Sequence, residues 1–298
     1  MINLKKQKIF SATTRLILLT LFTGILFSCR KECDECNCTL PPEEPKPKYQ
    51  EYFIAHAGGA IDGILYTNCR EALDLSYSKG CRLFELDLRL TTDGKIVASH
   101  GEVEITEAEF MSQLIEEKYT PMNMDTLNFW FKNHQDAILI TNKINDPERI
   151  YNEFQFRNRV IMELFSWKAV DKAIALGIKP MVSENLIFGS SKKAIEMGIL
   201  PLPRPKDADI EQILKEKHIE YICMSRYYCI AGNEELLKHL KEKGIKNYVY
   251  HLEWGTHGEP AELYVWNYEM DYCYGMYAND LNLLEALLKR KESKSKIF

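Results

Sequence analysis

Several features that define whole classes of protein are absent from this sequence. Its 298 residues contain no apolar run of the ~20 residues that a membrane-spanning helix needs. With 15 glycines and 11 prolines, the chain cannot be collagen-like. No long basic run is present and the formal net charge is −5, so binding to nucleic acid, which depends on neutralising phosphates, is not expected. What is present, 46% hydrophobic and 27% charged residues, is typical of a globular protein.

The first 28 residues have the pattern of a signal peptide. Four basic residues and no acidic one accompany an apolar run over residues 16–27, which has the length of a signal-peptide core. The end of this run, Leu26-Phe27-Ser28-Cys29, resembles a bacterial lipobox, which implies cleavage before Cys29 and a diacylglycerol on its sulfur. An ordinary signal peptide or a retained anchor helix is the alternative. We therefore expect a lipoprotein of the cell envelope, periplasmic or surface-exposed and anchored to the membrane.

Residues 29–51 predict a flexible linker. The segment is charged at its start and proline-rich over residues 41–48, so it cannot bury an apolar face. Cys33, Cys36 and Cys38 form a CxxCxC cluster within it, which indicates either a metal or redox site, or a disulfide or unused thiols outside the cytosol. Structural zinc sites nearly always have four ligands, and no fourth is evident nearby, which favours the second interpretation.

Residues 52–298 predict one α/β domain, close in length to the ~250 residues of a (β/α)8 barrel. Short apolar runs alternate with amphipathic helical stretches, a pattern typical of a parallel sheet that also fits a doubly wound fold. Eight strands are predicted, at Tyr52–His56, Leu83–Leu88, Ala137–Lys143, Arg159–Phe165, Lys179–Ser183, Glu220–Ser225, Lys246–His251 and Cys273–Tyr277. Five helices are predicted, at Arg70–Ser78, Trp167–Ala175, Ile210–His218, Glu234–Lys243 and Leu281–Lys291.

An ordered series of short motifs lies in the first third of this domain. It runs from His56-Ala57-Gly58-Gly59 through Thr67-Asn68, Glu85-Leu86-Asp87 and Thr91-Thr92-Asp93-Gly94 to His100. Together these motifs resemble the glycerophosphodiester phosphodiesterase family, which belongs with phosphatidylinositol-specific phospholipase C to one superfamily of barrels. The resemblance is strong over residues 53–101 and weaker later, at Gly275-Met276-Tyr277. It implies a TIM barrel, that is a (β/α)8 fold, whose active site lies at the carboxyl ends of the strands.

Glu85 and Asp87 are the first candidates for a metal site. Because they are two residues apart on a strand, their side chains leave the same face, and two acids so placed repel unless a cation lies between them. Oxygen ligands of this kind suit Mg2+ or Ca2+. A surface strand with alternating charge is the alternative interpretation. Glu163, a charged residue within an otherwise apolar strand, is a further candidate ligand.

His56 and His100 are the candidate acid and base. Each ends a strand-like run, and in a barrel such positions gather at the catalytic face. Imidazoles exchange protons near neutral pH, so one can act as base and the other as acid, although the sequence does not assign the two roles.

The chain departs from the family pattern at three positions. Ala57 replaces an arginine that would contact phosphate, Thr67 replaces a glutamate, and Thr141 aligns with an acid that would be a third metal ligand. Lys143, at the end of the third predicted strand, and Arg89, which has the facing of Glu85 and Asp87, are the candidates for binding the substrate phosphate. A residue of the barrel rim is the alternative interpretation of Arg89. Asn142 could supply an amide oxygen, but Thr141 and Asn142 cannot both point inward because facing alternates along a strand.

The expected function is metal-dependent hydrolysis of a phosphodiester by paired histidines. The resemblance implies a small-molecule or lipid phosphodiester as substrate, either glycerophosphodiester-like or derived from a phospholipid. Ala57 and Thr141 leave open a second function, in which a catalytically inactive barrel binds a phosphorylated glycan or lipid at the cell surface. Retention of the two histidines and the two acids favours the enzyme.

Overall fold

The computed structural model describes residues 49–189, 203–253 and 255–295, with side chains up to residue 290. The predicted signal peptide, the predicted lipidation site Cys29 and the cysteine cluster of the linker lie outside these residues. No helix among the described residues is long and apolar enough to cross a membrane.

Eight parallel strands close into a barrel. Including one strand outside this ring, the described residues form nine strands: β1 Phe53–Ala55, β2 Leu83–Leu90, β3 Ile96–Ala98, β4 Ile138–Asn142, β5 Val160–Leu164, β6 Lys179–Ser183, β7 Tyr221–Ser225, β8 Lys246–Tyr250 and β9 Gly275–Ala278. Strand β1 pairs with both β2 and β9, and the remaining neighbours follow the order β9-β8-β7-β6-β5-β4-β2. Strand β3 pairs antiparallel with the end of β2 and lies outside the closed ring. The predicted TIM barrel is thus confirmed.

Helices connect most of the strands. They are α1 Arg70–Ser78, α2 Glu107–Met111, α3 Met124–Asn133, α4 Pro147–Glu153, α5 Trp167–Ala175, α6 Glu184–Phe188, α7 Asp207–Glu216, α8 Arg226–Tyr228, α9 Glu234–Glu242, α10 Ala261–Tyr268 and α11 Asn282–Ser295. All five predicted helices are present, with ends shifted by a few residues. The others were not predicted, and several of them are too short to show helical periodicity over more than two turns.

Strand β3 was also missed by the sequence analysis. It has three residues, and it pairs Leu88 with Ala98 and Leu90 with Ile96. A three-residue strand carries too little alternation to be recognised from sequence. Its effect on β2 is direct, because β2 continues two residues beyond the predicted end at Leu88 in order to pair with it.

The interior of the barrel changes character along the strands. One apolar cluster fills it near the amino ends and includes Ile54, Leu83, Ile140, Ile161 and Met181. Since side chains on one face recur every second residue, the next inward positions toward the carboxyl ends are the polar residues His56, Glu85, Asn142, Glu163 and Ser183. The alternate residues face outward and pack with the helices in a second, larger apolar cluster. The open end of the barrel at the carboxyl ends of the strands, its mouth, is therefore polar, whereas the interior near the amino ends is apolar.

Candidate functional site

His56 is placed by a tight turn that follows β1 directly. Ala57 and Gly58 both have positive φ, at 48° and 86°. Glycine adopts this conformation readily, whereas alanine does so rarely. The turn is held from two sides: the Ser76 hydroxyl of α1 donates to the Gly58 carbonyl at 2.6 Å, and the Ala57 N–H donates to Glu85 Oε2 at 2.7 Å. His56 is buried at the barrel mouth as a result.

Glu85 and Asp87 are both buried on the inner face of β2. Asp87 lies against a fully buried asparagine, Asn68, whose Oδ1 accepts from the Asp87 N–H at 2.9 Å and whose Nδ2 donates to Asp87 Oδ2 at 3.2 Å. Burial would raise the pKa of Asp87. The hydrogen bond and charge of His100 oppose it and, with the Asn68 amide and the charge on His56, hold that pKa below its usual value. Asp87 is therefore ionised at neutral pH.

His100 is oriented by Asp87. It lies shortly after β3, and its Nδ1 is 3.0 Å from Asp87 Oδ2. The backbone supports this approach, because the Ser99 N–H donates to the Asp87 carbonyl at 2.8 Å. An ionised carboxylate can only accept, so Nδ1 carries the hydrogen and Nε2 is left to exchange a proton. The His100 side chain is half exposed, so Nε2 can reach a substrate.

Tyr66 lies between the two histidines. Its ring stacks on His100 with centroids 4.8 Å apart and planes inclined at 22°, and it meets His56 edge-on at 4.9 Å. Tyr277 contacts the same His56 ring edge-on at 5.7 Å. One tyrosine ring thus separates the two predicted catalytic groups, and the structure brings His56, His100 and Asp87 together at the barrel mouth.

The facing of the residues on β4 follows from its register with β2. Asp87 pairs with Asn142, and Leu86 pairs with Thr141. Residues in register on parallel strands point to the same side, so Asn142 shares the inner face with Asp87, whereas Thr141 faces the helices with Leu86. Of the two alternatives left open by the sequence, the structure thus selects Asn142. Its Oδ1 accepts from the Lys143 N–H at 2.6 Å.

Glu163 also lies on the inner face but on a more distant strand. Its Oε1 accepts a hydrogen bond from the Ser183 hydroxyl of β6 at 2.9 Å. Burial raises the pKa of Tyr277 well above its usual value, and Cys223, Glu163 and Glu85 add to the rise. The negative charges of Glu163 and Glu85, in the barrel interior, therefore both contribute to the raised pKa of Tyr277. Strand β4 lies between β5 and β2, which separates Glu163 from Asp87.

The two predicted phosphate ligands have different surroundings. Lys143 follows β4 directly, has a φ of 63° and is partly exposed, and it makes no ion pair with any carboxylate among the described residues. Arg89 lies on the part of β2 that pairs with β3, and its guanidinium is 2.7 Å from the exposed carboxylate of Glu102. The charge of Arg89 is thus partly engaged, whereas that of Lys143 remains available at the mouth.

The buried charges of the described chain are mostly acidic. Among the buried Asp, Glu, Lys and Arg residues, the acids are Glu85, Asp87, Glu163, Glu184 and Glu269, and Arg226 is the one base.

Within the described ranges, no group of three or more His, Cys, Asp and Glu side chains is placed to hold a metal ion, so the predicted set of Glu85, Asp87 and Glu163 is not gathered into one site. Glu85, Asp87 and the amide of Asn142 share one face, and oxygen donors of this kind fit a hard divalent cation.

A cavity of about 600 Å3 lies next to the tyrosine that contacts both histidines. Tyr66 forms part of its wall together with Leu65 and Asn279. Burial raises the pKa of the Tyr66 hydroxyl, and the carboxylate of Glu253, another wall residue, adds to the rise. The volume is large enough for a small molecule, and Tyr66 is the wall residue that also contacts His56 and His100.

Comparisons with solved structures address the fold. A glycerophosphodiester phosphodiesterase from Thermotoga maritima superposes with a TM-score of 0.58 at 19% sequence identity, covering 79% of this chain and 97% of that one. The chain has the fold of the glycerophosphodiester phosphodiesterases. A second such enzyme, from Parabacteroides distasonis, gives a TM-score of 0.58 at 15% identity, covering 81% of this chain and 98% of that one.

A third similar structure contains a ligand. It is an Oleispira antarctica phosphodiesterase in complex with the product sn-glycerol-3-phosphate, with a TM-score of 0.53 at 14% identity, and it covers 79% of this chain and 96% of that one. No protein-family model and no curated protein sequence matches the chain. The glycerophosphodiester phosphodiesterase fold is therefore established by structure and not by sequence similarity.

Three residues of this site were not predicted as functional. Asn68 was part of the motif series, but its two hydrogen bonds to Asp87 cross 19 residues of sequence and have no local signature. Tyr277 contacts His56 because closure of the barrel pairs β9 with β1, whereas Tyr66 reaches His56 through the fold of the loop between β1 and α1. The one available signal was that asparagine tolerates left-handed backbone, which Asn68 adopts with a φ of 52°.

Proposed function

We propose that the protein hydrolyses phosphodiesters at the mouth of its barrel. The observation that carries the proposal is the His100–Asp87 pair, with His56 close by across the ring of Tyr66. A carboxylate that fixes one imidazole nitrogen leaves the other free for proton transfer, and a second histidine lets one site supply both an acid and a base. A binding module needs neither.

The proton transfers follow from the assigned tautomer. Asp87 keeps the hydrogen on Nδ1 of His100, so proton exchange with the substrate takes place at Nε2. One histidine removes the proton of the attacking hydroxyl, which belongs to water or to a neighbouring substrate hydroxyl. The other donates a proton to the leaving alkoxide, so that the phosphorus–oxygen bond breaks without releasing a free alkoxide. Lys143 is positioned to balance the negative charge of the phosphate.

A divalent cation, Mg2+ or Ca2+, is part of the proposal. Glu85 and Asp87 would hold it, with the Asn142 amide oxygen in the place of a third acid. Glu163, on β5 two strands from β2, is the more distant candidate. When bound, the ion supplies electrostatic stabilisation of charge that develops on the phosphate. Two carboxylates and an amide carry less charge than three carboxylates, so we expect weak binding of the ion.

The proposed substrates are glycerophosphodiester-like or phospholipid-derived. The Oleispira antarctica phosphodiesterase holds sn-glycerol-3-phosphate, a monoester that hydrolysis of such a diester releases. The cavity beside Tyr66 offers room for the alcohol part of a diester whose phosphate lies near Lys143 and the histidines. Arg89 stays a weaker candidate phosphate ligand because Glu102 already engages it.

One observation favours a catalytically inactive barrel as the second candidate. At the position after His56, where an arginine would reach a phosphate, the side chain of Ala57 is a buried methyl group. The backbone N–H of Ala57 instead stabilises Glu85. Such a barrel could still bind a phosphorylated glycan or lipid.

An assay separates the two functions. The full chain is incubated with bis(p-nitrophenyl) phosphate and with glycerophosphodiesters, first after chelation and then with added Mg2+ or Ca2+. Hydrolysis that depends on the added ion supports the enzyme. Calorimetric binding of sn-glycerol-3-phosphate without any hydrolysis favours the inactive barrel. If the protein shows no hydrolysis and no binding, both proposed functions are contradicted.

The cellular location is a separate proposal that depends on the sequence alone. We propose that the chain is exported and anchored to the membrane of the cell envelope by a lipid on Cys29. A lipid anchor would hold the barrel near phospholipid-derived diesters through the linker of residues 29–51.

A further inference from the structure

Tyr66 contacts the rings of both proposed catalytic histidines. It stacks face to face on His100 and presents its ring to His56 at nearly a right angle, 82°. Both centroid distances, 4.8 and 4.9 Å, are within the range of favourable aromatic pairs. The mechanism above assigns no role to this tyrosine.

The backbone conformation at Tyr66 indicates that its position is specifically maintained. Its φ is 61°, in the left-handed region, where residues other than glycine are disfavoured. Asn68, two residues later, is also left-handed, and its Nδ2 donates to the Tyr66 carbonyl at 3.3 Å as well as to Asp87. One asparagine thus ties the backbone of Tyr66 to the carboxylate that orients His100.

His100 needs a second contact to be held in one orientation. Its side chain is half exposed, and the hydrogen bond to Asp87 fixes only the direction of Nδ1. The imidazole could still rotate about that bond and swing Nε2 away from the substrate. A flat ring stacked on the imidazole face prevents this rotation, and the Tyr66 ring lies in that place.

We propose that Tyr66 is a positioning residue that holds the imidazoles of His56 and His100 in the orientation required for proton transfer. The proposal rests on the proposed function of the two histidines. It assigns the role to the aromatic ring and not to the hydroxyl, because both contacts are made by the ring.

The first test compares two substitutions at Tyr66. Tyr66→Phe keeps the ring and should leave kcat near the wild-type value. Tyr66→Leu keeps an unbranched Cβ, so the left-handed backbone is equally tolerated, but it removes the flat ring. Misplaced catalytic groups cost up to about a hundredfold in rate, so we expect kcat to fall by about ten- to a hundredfold while KM stays near wild type.

A matched control is available on the outer layer. Tyr268 ends α10, is exposed, and contacts Tyr264 at 4.8 Å. Tyr268→Leu makes the same chemical change away from the histidines and should leave kcat unchanged. Equal losses in Tyr66→Leu and Tyr66→Phe would overturn the assignment to the ring, and wild-type kcat in Tyr66→Leu would overturn the proposal itself.

A second readout does not depend on catalysis. In the NMR spectrum, the ring protons of His100 should be shifted upfield by the stacked tyrosine in the wild type and in Tyr66→Phe. In Tyr66→Leu they should lose this shift and show exchange between ring orientations. A single, unchanged His100 orientation in Tyr66→Leu would contradict the positioning role even if the wild type hydrolyses no diester, so failure of the proposed function and failure of this inference are distinguishable.

Discussion

Asp87 on β2 and Asn142 on β4 are paired in the barrel register and therefore point to the same inner face. Thr141 aligns with an acid of the glycerophosphodiester phosphodiesterases, but it faces the helices. The inner face thus presents an uncharged amide beside Glu85 and Asp87. The candidate ligand set therefore has one negative charge fewer than a set of three carboxylates.

Asn142→Asp should strengthen the binding of a divalent ion. A third carboxylate on the inner face raises the charge of the ligand set, and we expect the Kd for Mg2+ or Ca2+ to fall by about tenfold. Calorimetric titration of the chelated full chain measures it. Thr141→Asp is the matched control: it places the same charge one residue away on the outer face, where it should lower stability without improving metal binding. Equal metal affinity in Asn142→Asp and the wild type would show that Asn142 is not at the ion.

His56→Ala and His100→Ala should each remove most of the activity without unfolding the protein. General acid–base groups contribute ~10²–10⁴-fold, and both act in one turnover, so the two losses should be similar and not additive. The measurement is kcat, with circular dichroism as the control for folding. His239→Ala, on α9 and paired with Glu211 on the surface, should behave like the wild type. Wild-type turnover in either site variant would remove that histidine from the mechanism.

Asp87→Asn tests the tautomer assigned to His100. An amide can donate as well as accept, so His100 is no longer required to keep its hydrogen on Nδ1, and loss of the charge also weakens any bound cation. We expect kcat to fall by ~10²-fold or more. Asp136→Asn is a suitable control, because Asp136 is an exposed partner of Arg82 and Tyr77 that precedes β4, at the end of the strands opposite the mouth. If saturating metal restored full activity, the orienting role of Asp87 would be excluded.

Arg226→Met should strongly destabilise the barrel. Arg226 and Glu269 form a buried ion pair in which Nε donates to both carboxylate oxygens at 2.9 and 2.8 Å, and Arg226 also donates to the Leu252 carbonyl at 3.1 Å. Removing one partner leaves a buried charge and typically costs 3–5 kcal/mol, whereas replacing both costs much less. Urea unfolding of Arg226→Met and of Arg226→Met with Glu269→Leu checks this. A double variant as unstable as the single one would mean that packing, and not charge, governs the site.

Cys29→Ala should release the protein from the membrane. The thiol is the attachment point of the proposed lipid, so the variant should lose metabolic label from a fatty acid and move to the soluble fraction. Cys36→Ala, within the linker, serves as the control and should keep the label. Equal labelling of wild type and Cys29→Ala would contradict the lipoprotein proposal.

The sequence was sufficient to predict the barrel and the order of its motifs. Strand and helix periodicities are local properties, and the carboxyl ends of parallel strands must meet at one edge. The sequence alone therefore predicts His56, Glu85, Asp87 and His100 at the same mouth. Short elements such as β3 escaped because three residues carry too little pattern.

Only the tertiary structure decided which side chains face one another at that mouth. Strand register turned Asn142 inward and Thr141 outward, since a shift of one residue reverses every facing. Tyr66 and Asn68 both have left-handed backbone conformations. With this backbone, the Tyr66 ring lies between the two histidines and the Asn68 amide lies against Asp87. These contacts join residues that are distant along the chain, and their energies depend on packing across the closed barrel, which no local pattern of residues encodes.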